Sequence, residues 1–563
     1  MGKLADVQMQ VMWNRLISVV EEQAQTLVRT AFGAATREAG DLSAGVFLPD
    51  GRMVAQAVTG TPGHVNSMAE SVRFFLAEYP PEAMFAGDVF LANDPWKTTG
   101  HLNDLTMVTP VFRGKRLVAL FASTVHVVDI GGLGLSADGT QVFHEGLFLP
   151  IVRLVSRGVM DETLLKVIRA NVREPVQVEG DLYSLVACNE VGGRRLLAMM
   201  DEYSLKDITR VSEHVITRSH AAMLAAVREW PEGFWSYTMT TDGYDAPITL
   251  AGTLTISRKG VEIDFSGTSG VVTNGINVPK SYTDAYTSFG VRCVIGPHIP
   301  NNAGSLSAVR VKAPEGCILN APYPLAVSAR SIVGQMLPDI VFGCLRQARP
   351  DRVPAENSSA LWNLRLAGGQ AIKGIDPEQL KGATRFNVNG FNTGGTGARP
   401  QKDGLSVTSF PSGVRNVAVE IIETLSPVVF WKKEYWPDSG GAGEHRGGLG
   451  QIMEIANGEP APMIISATFD RIVHPARGSA GGHSGGGGRV RLESGTTLRG
   501  FGRQVIPAGD RVILETPGGG GIGDPAKRSR EAVARDLKNG LITEQQATDV
   551  YGLSVAQQPE RTE

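Results

Sequence analysis

Asn93-Asp94-Pro95-Trp96-Lys97-Thr98-Thr99-Gly100-His101-Leu102-Asn103-Asp104 places a histidine and a carboxylate three residues apart in a loop dense with turn formers. The next twenty residues decide the local fold. Residues 105–110 and 116–124 are rich in Val, Leu and Phe and read as two strands, joined by a turn at Arg113-Gly114-Lys115. Paired as a hairpin, they return His126 to the neighbourhood of His101 and Asp104. Two imidazoles and a carboxylate converging from a rigid hairpin make the borderline N/O donor set that Zn, Mn or Fe(II) accepts with coordination positions left open. The bland alternative is a hydrogen-bonded structural His–Asp pair that needs no ion. Turn chemistry at Asn93-Asp94-Pro95, Gly100 and Asp129-Ile130-Gly131-Gly132 favours the functional reading, because rigidly supported loops at strand ends are where functional residues concentrate.

Three further residues are candidates for the same site. Asp41 opens a strand that turns at Pro49-Asp50-Gly51 into residues 52–57, so it too belongs at a strand terminus and is a fourth candidate ligand. His64 lies in Gly60-Thr61-Pro62-Gly63-His64-Val65-Asn66-Ser67-Met68, a turn leading into an amphipathic helix over 67–78; it is either a catalytic group beside the site or a helix-entry residue. Glu145, just after His144, is either a base or an orienting group near an activated water, or a salt-bridge partner.

Periodicity organises the rest. Met12, Leu16, Val19, Val20, Leu27 and Ala31 fall at helical spacing in a first helix that buries one stripe against the strands after it. Helical patterns recur at 161–170, 182–200 and 205–229, a strand-rich stretch follows at 235–265, and Pro/Gly clusters at 296–304 and 314–324 mark long crossings. From 341 the pattern is briefly helical. From 384 to 516 it is glycine-rich and β-dominated, with strands expected at 417–424 and 464–469, and 527–551 reads as two short helices broken at Asn539-Gly540. The expected class is α+β in several domains: an N-terminal α/β module with the metal loops (1–230), a mixed central region (231–383), a β-rich glycine-rich module (384–525) and a helical tail (526–563).

Composition excludes several function classes. A net charge of -3 with dispersed Lys and Arg provides no electrostatic footprint for nucleic acid. No apolar run approaches the roughly 20 residues that span a bilayer, and the first residues lack a signal-peptide hydrophobic region, so a cytoplasmic protein is expected. Cys188, Cys293, Cys317 and Cys344 are scattered and read as reduced, buried residues and not as zinc ligands. No Gly-x4-Gly-Lys-Ser/Thr loop occurs, and the match of Gly518, Gly520 and Gly523 to a dinucleotide pattern reads as a glycine loop tying the last strand to a helix. Gly482-His483-Ser484-Gly485-Gly486 fits a nucleophile elbow but runs into a strand where that motif needs a helix, and Asp438-Ser439-Gly440-Gly441 lacks a His/Asp partner.

The ordered motifs resemble a known family over nearly the whole length. They are Asp41-Leu42-Ser43, Gly87-Asp88-Val89-Phe90, Asn93-Asp94-Pro95, His101 to Asp104, His126 with Asp129-Ile130-Gly131-Gly132, Glu145-Gly146-Leu147 and Asn171-Val172-Arg173. Gly394-Gly395-Thr396-Gly397-Ala398-Arg399-Pro400, Asp438-Ser439-Gly440-Gly441-Ala442-Gly443, Arg446-Gly447-Gly448-Leu449-Gly450 and the closing Pro517-Gly518-Gly519-Gly520-Gly521-Ile522-Gly523-Asp524-Pro525 continue the series. Together they resemble the hydantoinase B/oxoprolinase family, relatives of the acetone carboxylase alpha subunit. That resemblance implies a division of labour: an A-type partner subunit binds ATP and Mg and phosphorylates the carbonyl oxygen of a cyclic amide, while the B-type subunit carries one divalent transition metal (Zn, Mn or Fe) for hydrolysis. It assigns Asp41, His101, Asp104 and His126 as metal ligands, aligns His64 with a histidine in relatives, and implies a hetero-oligomer such as A2B2. Two departures leave the substrate open: His126-Val127 where many relatives have a histidine pair, and Lys97-Thr98-Thr99 where a glycine pair is expected. The alternatives are an alpha-type subunit of an ATP-dependent ketone carboxylase and a non-catalytic structural subunit.

Overall fold

The computed structural model describes residues 3–369 and 375–553; the last ten residues of the expected tail and 370–374 of the central region lie outside that description. The chain divides into two compact units, each discontinuous in sequence: 1–234 with 252–338 and 412–415, and 235–251 with 339–411 and 416–563. Both contain helices and sheets, in keeping with a mixed α+β class.

Unit 1 is built on an antiparallel seven-stranded sheet. Its strands are β1 (Leu42–Phe47), β2 (Met53–Gln56), β3 (Val89–Ala92), β4 (Asp104–Arg113), β5 (Arg116–His126), β6 (Val152–Ser156) and β7 (Val159–Met160), in the spatial order β2-β1-β5-β4-β3-β6-β7. The β4–β5 hairpin turns where expected, at Gly114, which takes the positive φ of +62° that such a tight turn requires.

Alternation along these strands sends successive side chains to opposite faces. Leu42, Ala44 and Val46 of β1 and Phe121 and Val125 of β5 face the helices Lys3–Thr30 and Pro175–Glu202, packing with Leu16, Val20, Leu27, Leu185 and Leu196. Phe47, Val108, Leu120 and Ala122 face the helix Pro62–Glu78 through Met68, Val72 and Phe75. Every residue of β1 is therefore buried. That helix starts at Pro62, so His64 belongs to its first turn and not to a preceding loop; Pro62 at its N-terminus supplies the preset φ that starts it.

The remainder of unit 1 wraps this core. Gly260–Asp264 pairs antiparallel with 253–257 and parallel with Val309–Lys312. Helix Lys280–Val294 lies against Pro62–Glu78, where Asn66 donates to the Ala285 carbonyl at 3.2 Å. The chain then returns through 318–330 to the end of the large sheet that carries Asp104.

Unit 2 holds two four-stranded sheets. One runs Phe386–Thr393, Leu361–Gly368, Met463–Thr468, Phe501–Ile506; the other runs Val428–Tyr435, Gln451–Asn457, Arg511–Glu515, Arg489–Leu492. The strand expected at 417–424 is instead the helix Val419–Leu425. Its β-branched content favours a strand, but the adjacent Ile421-Ile422 break a period of two, and in this helix only Ile422 is buried.

Glycine segments of unit 2 pack backbone on backbone. A Cβ on Gly395 would lie 1.8 Å from the Gly448 carbonyl oxygen, and one on Gly519 would lie 2.0 Å from that of Thr396. The same segments exchange backbone hydrogen bonds, Gly448 N to Thr396 O at 2.8 Å and Gly519 N to Gly448 O at 3.0 Å. The segment 517–523 is thus more than a tether between strand and helix; it is an interior strut that side chains would push apart. Ser439 is structural too, donating to Trp436 O and accepting from Gly450 N, and 482–486 does run into the strand Arg489–Leu492. Beyond it, the tail forms the helices Arg530–Lys538 and Glu544–Asp549, broken at Gly540, and docks through Val533, Ile542 and Tyr551 onto Ala442.

Candidate metal centre

Register brings the ligands together. Asp104, first residue of β4, stands directly opposite His126, last residue of β5, so the two side chains share one face of the sheet. That face turns polar at this end, with Thr106 and Thr124, two pairs further in, joined by a hydrogen bond at 3.0 Å. His101 reaches the same point from the preceding loop. Asn93 braces that loop by donating to the carbonyls of Leu102 and Leu147 at 2.8 and 2.9 Å, and Asp94 closes its turn by accepting from Trp96 N.

His101, Asp104 and His126 each offer a donor atom within 4.8 Å of the other two, and all three residues are buried. Nε2 of His101 is 2.7 Å and Nδ1 of His126 is 3.0 Å from Oδ1 of Asp104. The other carboxylate oxygen is saturated from the protein side: Thr99 Oγ1 and Arg330 Nη2 donate at 2.7 Å each, and His64 Nε2 lies at 2.9 Å. Asp104 thus directs one oxygen into the scaffold and one at two imidazoles.

Protonation follows from partners. Nδ1 of His101 lies 3.0 Å from the Ser328 carbonyl oxygen, which can only accept, so Nδ1 carries the proton and Nε2 a lone pair. Burial, aided by the Arg330 charge, lowers the His101 pKa to about 3, which keeps the ring neutral. Burial opposes ionisation of Asp104, yet His64 and Arg330 hold its carboxyl well below the usual range. A lone pair and an anionic oxygen therefore face each other, and Nε2 of His101 has no hydrogen-bond partner although it is buried. Such a donor set could hold a divalent ion, with the outer ring nitrogen pinned to a carbonyl as metal-ligating histidines commonly are.

The remaining candidates surround this triad. Asp41 does not join the three-residue group; its backbone oxygen accepts from His126 N at 3.3 Å and its Oδ1 lies 3.5 Å from Nδ1 of His64. His64 stands between two carboxylates. Burial works against its charged form, but Asp104 and Asp41 outweigh that and raise its pKa. Glu145 accepts with one oxygen from Val327 N and Ser328 N at 2.6 and 2.7 Å, while its other oxygen is buried without a partner. Burial pushes its pKa up to about 8 against those two bonds. His144 is more exposed and bonded to Thr140, away from this arrangement.

Sequence reading missed Arg330, Ser328 and Thr99. Thr99 is adjacent to the quoted glycine and could have been noticed as a hydroxyl donor; Arg330, 226 residues from Asp104, offers no local pattern that singles it out.

The family model Hydantoinase B/oxoprolinase matches residues 5–525. The caprolactamase subunit beta of Pseudomonas jessenii is 28% identical over 587 residues, covering 99% of this chain and 97% of that protein. The crystal structure of ATP-dependent caprolactamase from Pseudomonas jessenii superposes with a TM-score of 0.87 at 25% identity, over 99% of this chain and 98% of that one. A nucleotide-free acetone carboxylase structure, at 18% identity, shares the fold with a TM-score of 0.85 over 98% of this chain and 80% of its own. No helix among the described residues is long and apolar enough to cross a membrane.

Proposed function

We propose, because the chain belongs to the hydantoinase B/oxoprolinase family, that it is the metal-dependent subunit of an ATP-dependent hydrolase of cyclic amides. An A-type partner subunit would bind ATP and Mg and phosphorylate the lactam carbonyl oxygen, in a cytoplasmic hetero-oligomer such as A2B2. The observation that carries the metal half is the convergence of His101 Nε2, Asp104 Oδ1 and His126 Nδ1 in a buried site, with Nε2 of His101 left without a hydrogen-bond partner. Support for the hydrolytic half is the similarity to a caprolactamase subunit over nearly the whole of both chains.

Chemistry divides the labour. An intact lactam resists attack because amide resonance keeps its carbonyl a poor electrophile; phosphorylation of the oxygen removes that resonance and installs a leaving group. His101 Nε2, Asp104 Oδ1 and His126 Nδ1 would hold one Zn, Mn or Fe ion, with Asp41 next in line across His64. The ion supplies Lewis acidity, which lowers the pKa of water from about 15.7 towards neutrality. His64 holds a proton between Asp104 and Asp41, at the margin of the triad, where it can be passed to the opened ring's nitrogen. Glu145, neutral and engaged with the backbone, positions His101 through Ser328 and takes no proton from water.

The test is co-purification with the A-type subunit, metal analysis, and ATP hydrolysis stimulated by lactams, hydantoins or 5-oxoproline. Ring opening coupled to ATP turnover, lost on chelation, is expected. Turnover that requires a ketone and bicarbonate would replace this reading with a carboxylase, and absence of a stoichiometric transition metal would replace it with a structural subunit.

A further inference from the structure

Resting on the reading that the triad holds a divalent ion, we propose that Arg330 decides how Asp104 meets that ion. With Thr99 and His64 it occupies Oδ2, restricting Asp104 to a single donating oxygen, while the turn that carries it aligns His101 at the same time.

Three donors converge on Oδ2 within 2.9 Å, which exhausts the lone pairs of one oxygen, whereas Oδ1 faces only the two imidazoles. Two-oxygen chelation by Asp104 would require breaking all of these contacts. A carboxylate fixed in this way occupies one coordination position and leaves others for substrate.

Arg330 is itself immobilised. Its Nε donates to the Thr99 carbonyl at 2.7 Å, so the fork spans a backbone oxygen and the ligand carboxylate together. Its guanidinium lies over the Tyr282 ring at 4.1 Å, and Tyr282 packs on Tyr286 with ring centroids 4.8 Å apart. Gly100, at φ +96°, lets the ligand loop lie against it; a Cβ there would come within 2.6 Å of Arg330 Cδ. Two residues before Arg330, the Ser328 carbonyl accepts a hydrogen bond from His101 Nδ1, and Glu145 accepts from the backbone N–H groups of Val327 and Ser328. One clamped turn therefore orients two of the three candidate ligands. Lysine cannot replace this arginine, since one ammonium on a flexible stem does not reproduce a planar fork over an aromatic ring.

The experiment uses the full chain, with Co(II) alone as the probe, and compares the parent with Arg330→Lys, Thr99→Val and Thr99→Ser by binding titration and by the visible absorption band of the bound ion. Arg330→Lys and Thr99→Val are expected to weaken Co(II) binding by about 10- to 100-fold and to shift the band, with Thr99→Ser restoring both. Folded variants that bind Co(II) with parental affinity and an unchanged band overturn the proposal. Should Arg330→Lys fail to fold, the Thr99 pair decides alone. A parent that binds Co(II) but opens no lactam with its partner overturns the proposed function and leaves this inference standing. A parent that binds no Co(II) overturns both.

Discussion

Two buried polar clusters, one in each unit, have similar ingredients and opposite organisation. Around Glu356 in unit 2, Tyr237 and Arg477 donate to Oε1 at 2.6 and 2.8 Å, and the Arg477 backbone N–H donates to Oε2 at 2.8 Å. Its neighbour Asp339 receives Asn357 and Ser359, and Arg471, fully buried, donates to the carbonyls of Ser358, His474 and Asn357. No side-chain polar atom of Glu356, Asp339 or Arg471 is left without a partner. Around Asp104 in unit 1 the same density of charge leaves Nε2 of His101, Nδ1 of His64 and one oxygen of Glu145 buried and unmatched. Leaving a buried polar atom unpaired costs about 1–3 kcal/mol, so three in one neighbourhood call for an explanation that a self-satisfied cluster does not. The contrast separates a group of residues that holds a fold together from one prepared for a ligand.

The sharpest way to break this contrast is Asp104→Ala. Turnover and metal content are expected to vanish, and removal of the anion between buried Arg330 and His64 should cost about 3–5 kcal/mol of stability, read by denaturant unfolding. Glu356→Ala should destabilise by a similar ~3–5 kcal/mol by removing the counter-charge of buried Arg471, whose Nη1 lies 3.8 Å from Oε2, yet the folded fraction should keep the parental metal content; loss of metal there would erase the distinction. Chelation sharpens it further: with metal supplied at about 100 times its dissociation constant, removing it should lower apparent stability by about 2.7 kcal/mol in the parent and by nothing in Asp104→Ala.

The smallest effect concerns pH. Folded Glu145 stays neutral up to about 8, whereas the unfolded chain ionises it near its ordinary 4.5, so unfolding releases a proton across that window. Stability contributed in this way is complete below about 4.5 and is lost as pH rises through 8, with a slope of at most about 1.4 kcal/mol per pH unit. Glu145→Gln, which keeps the accepting oxygen, should flatten this fall in a series of thermal melts while retaining metal. Asp470, which burial and Asp242 likewise push up to about 8 despite Arg471, contributes the same slope to both proteins and cancels in the difference.

Local order makes much of unit 1 readable. The β4–β5 hairpin follows from its apolar strands and glycine turn, and once it is paired the approach of His126 to Asp104 is a matter of register. His101 is readable because its loop spacing is short. Arg330 and Ser328 are unreadable from one sequence, because their contribution is a spatial return over more than 200 positions that leaves no periodic trace. Glu145 is visible as a carboxylate near the site, but its engagement with Val327 and Ser328 backbone comes only from the fold. In unit 2 the glycine runs announce close approach, though not which segments meet, and the helix at Val419–Leu425 shows side-chain preference yielding to packing.

The placement of Asp104 and His126 at the two open ends of one hairpin also limits how this protein can change over evolutionary time. Adding or deleting a single residue between them would slide one strand by about 3.3 Å and turn His126 to the opposite side of the sheet. Surface connections elsewhere can lengthen or shorten freely; this stretch can exchange side chains, but its residue count is held constant by the geometry of the pair it delivers.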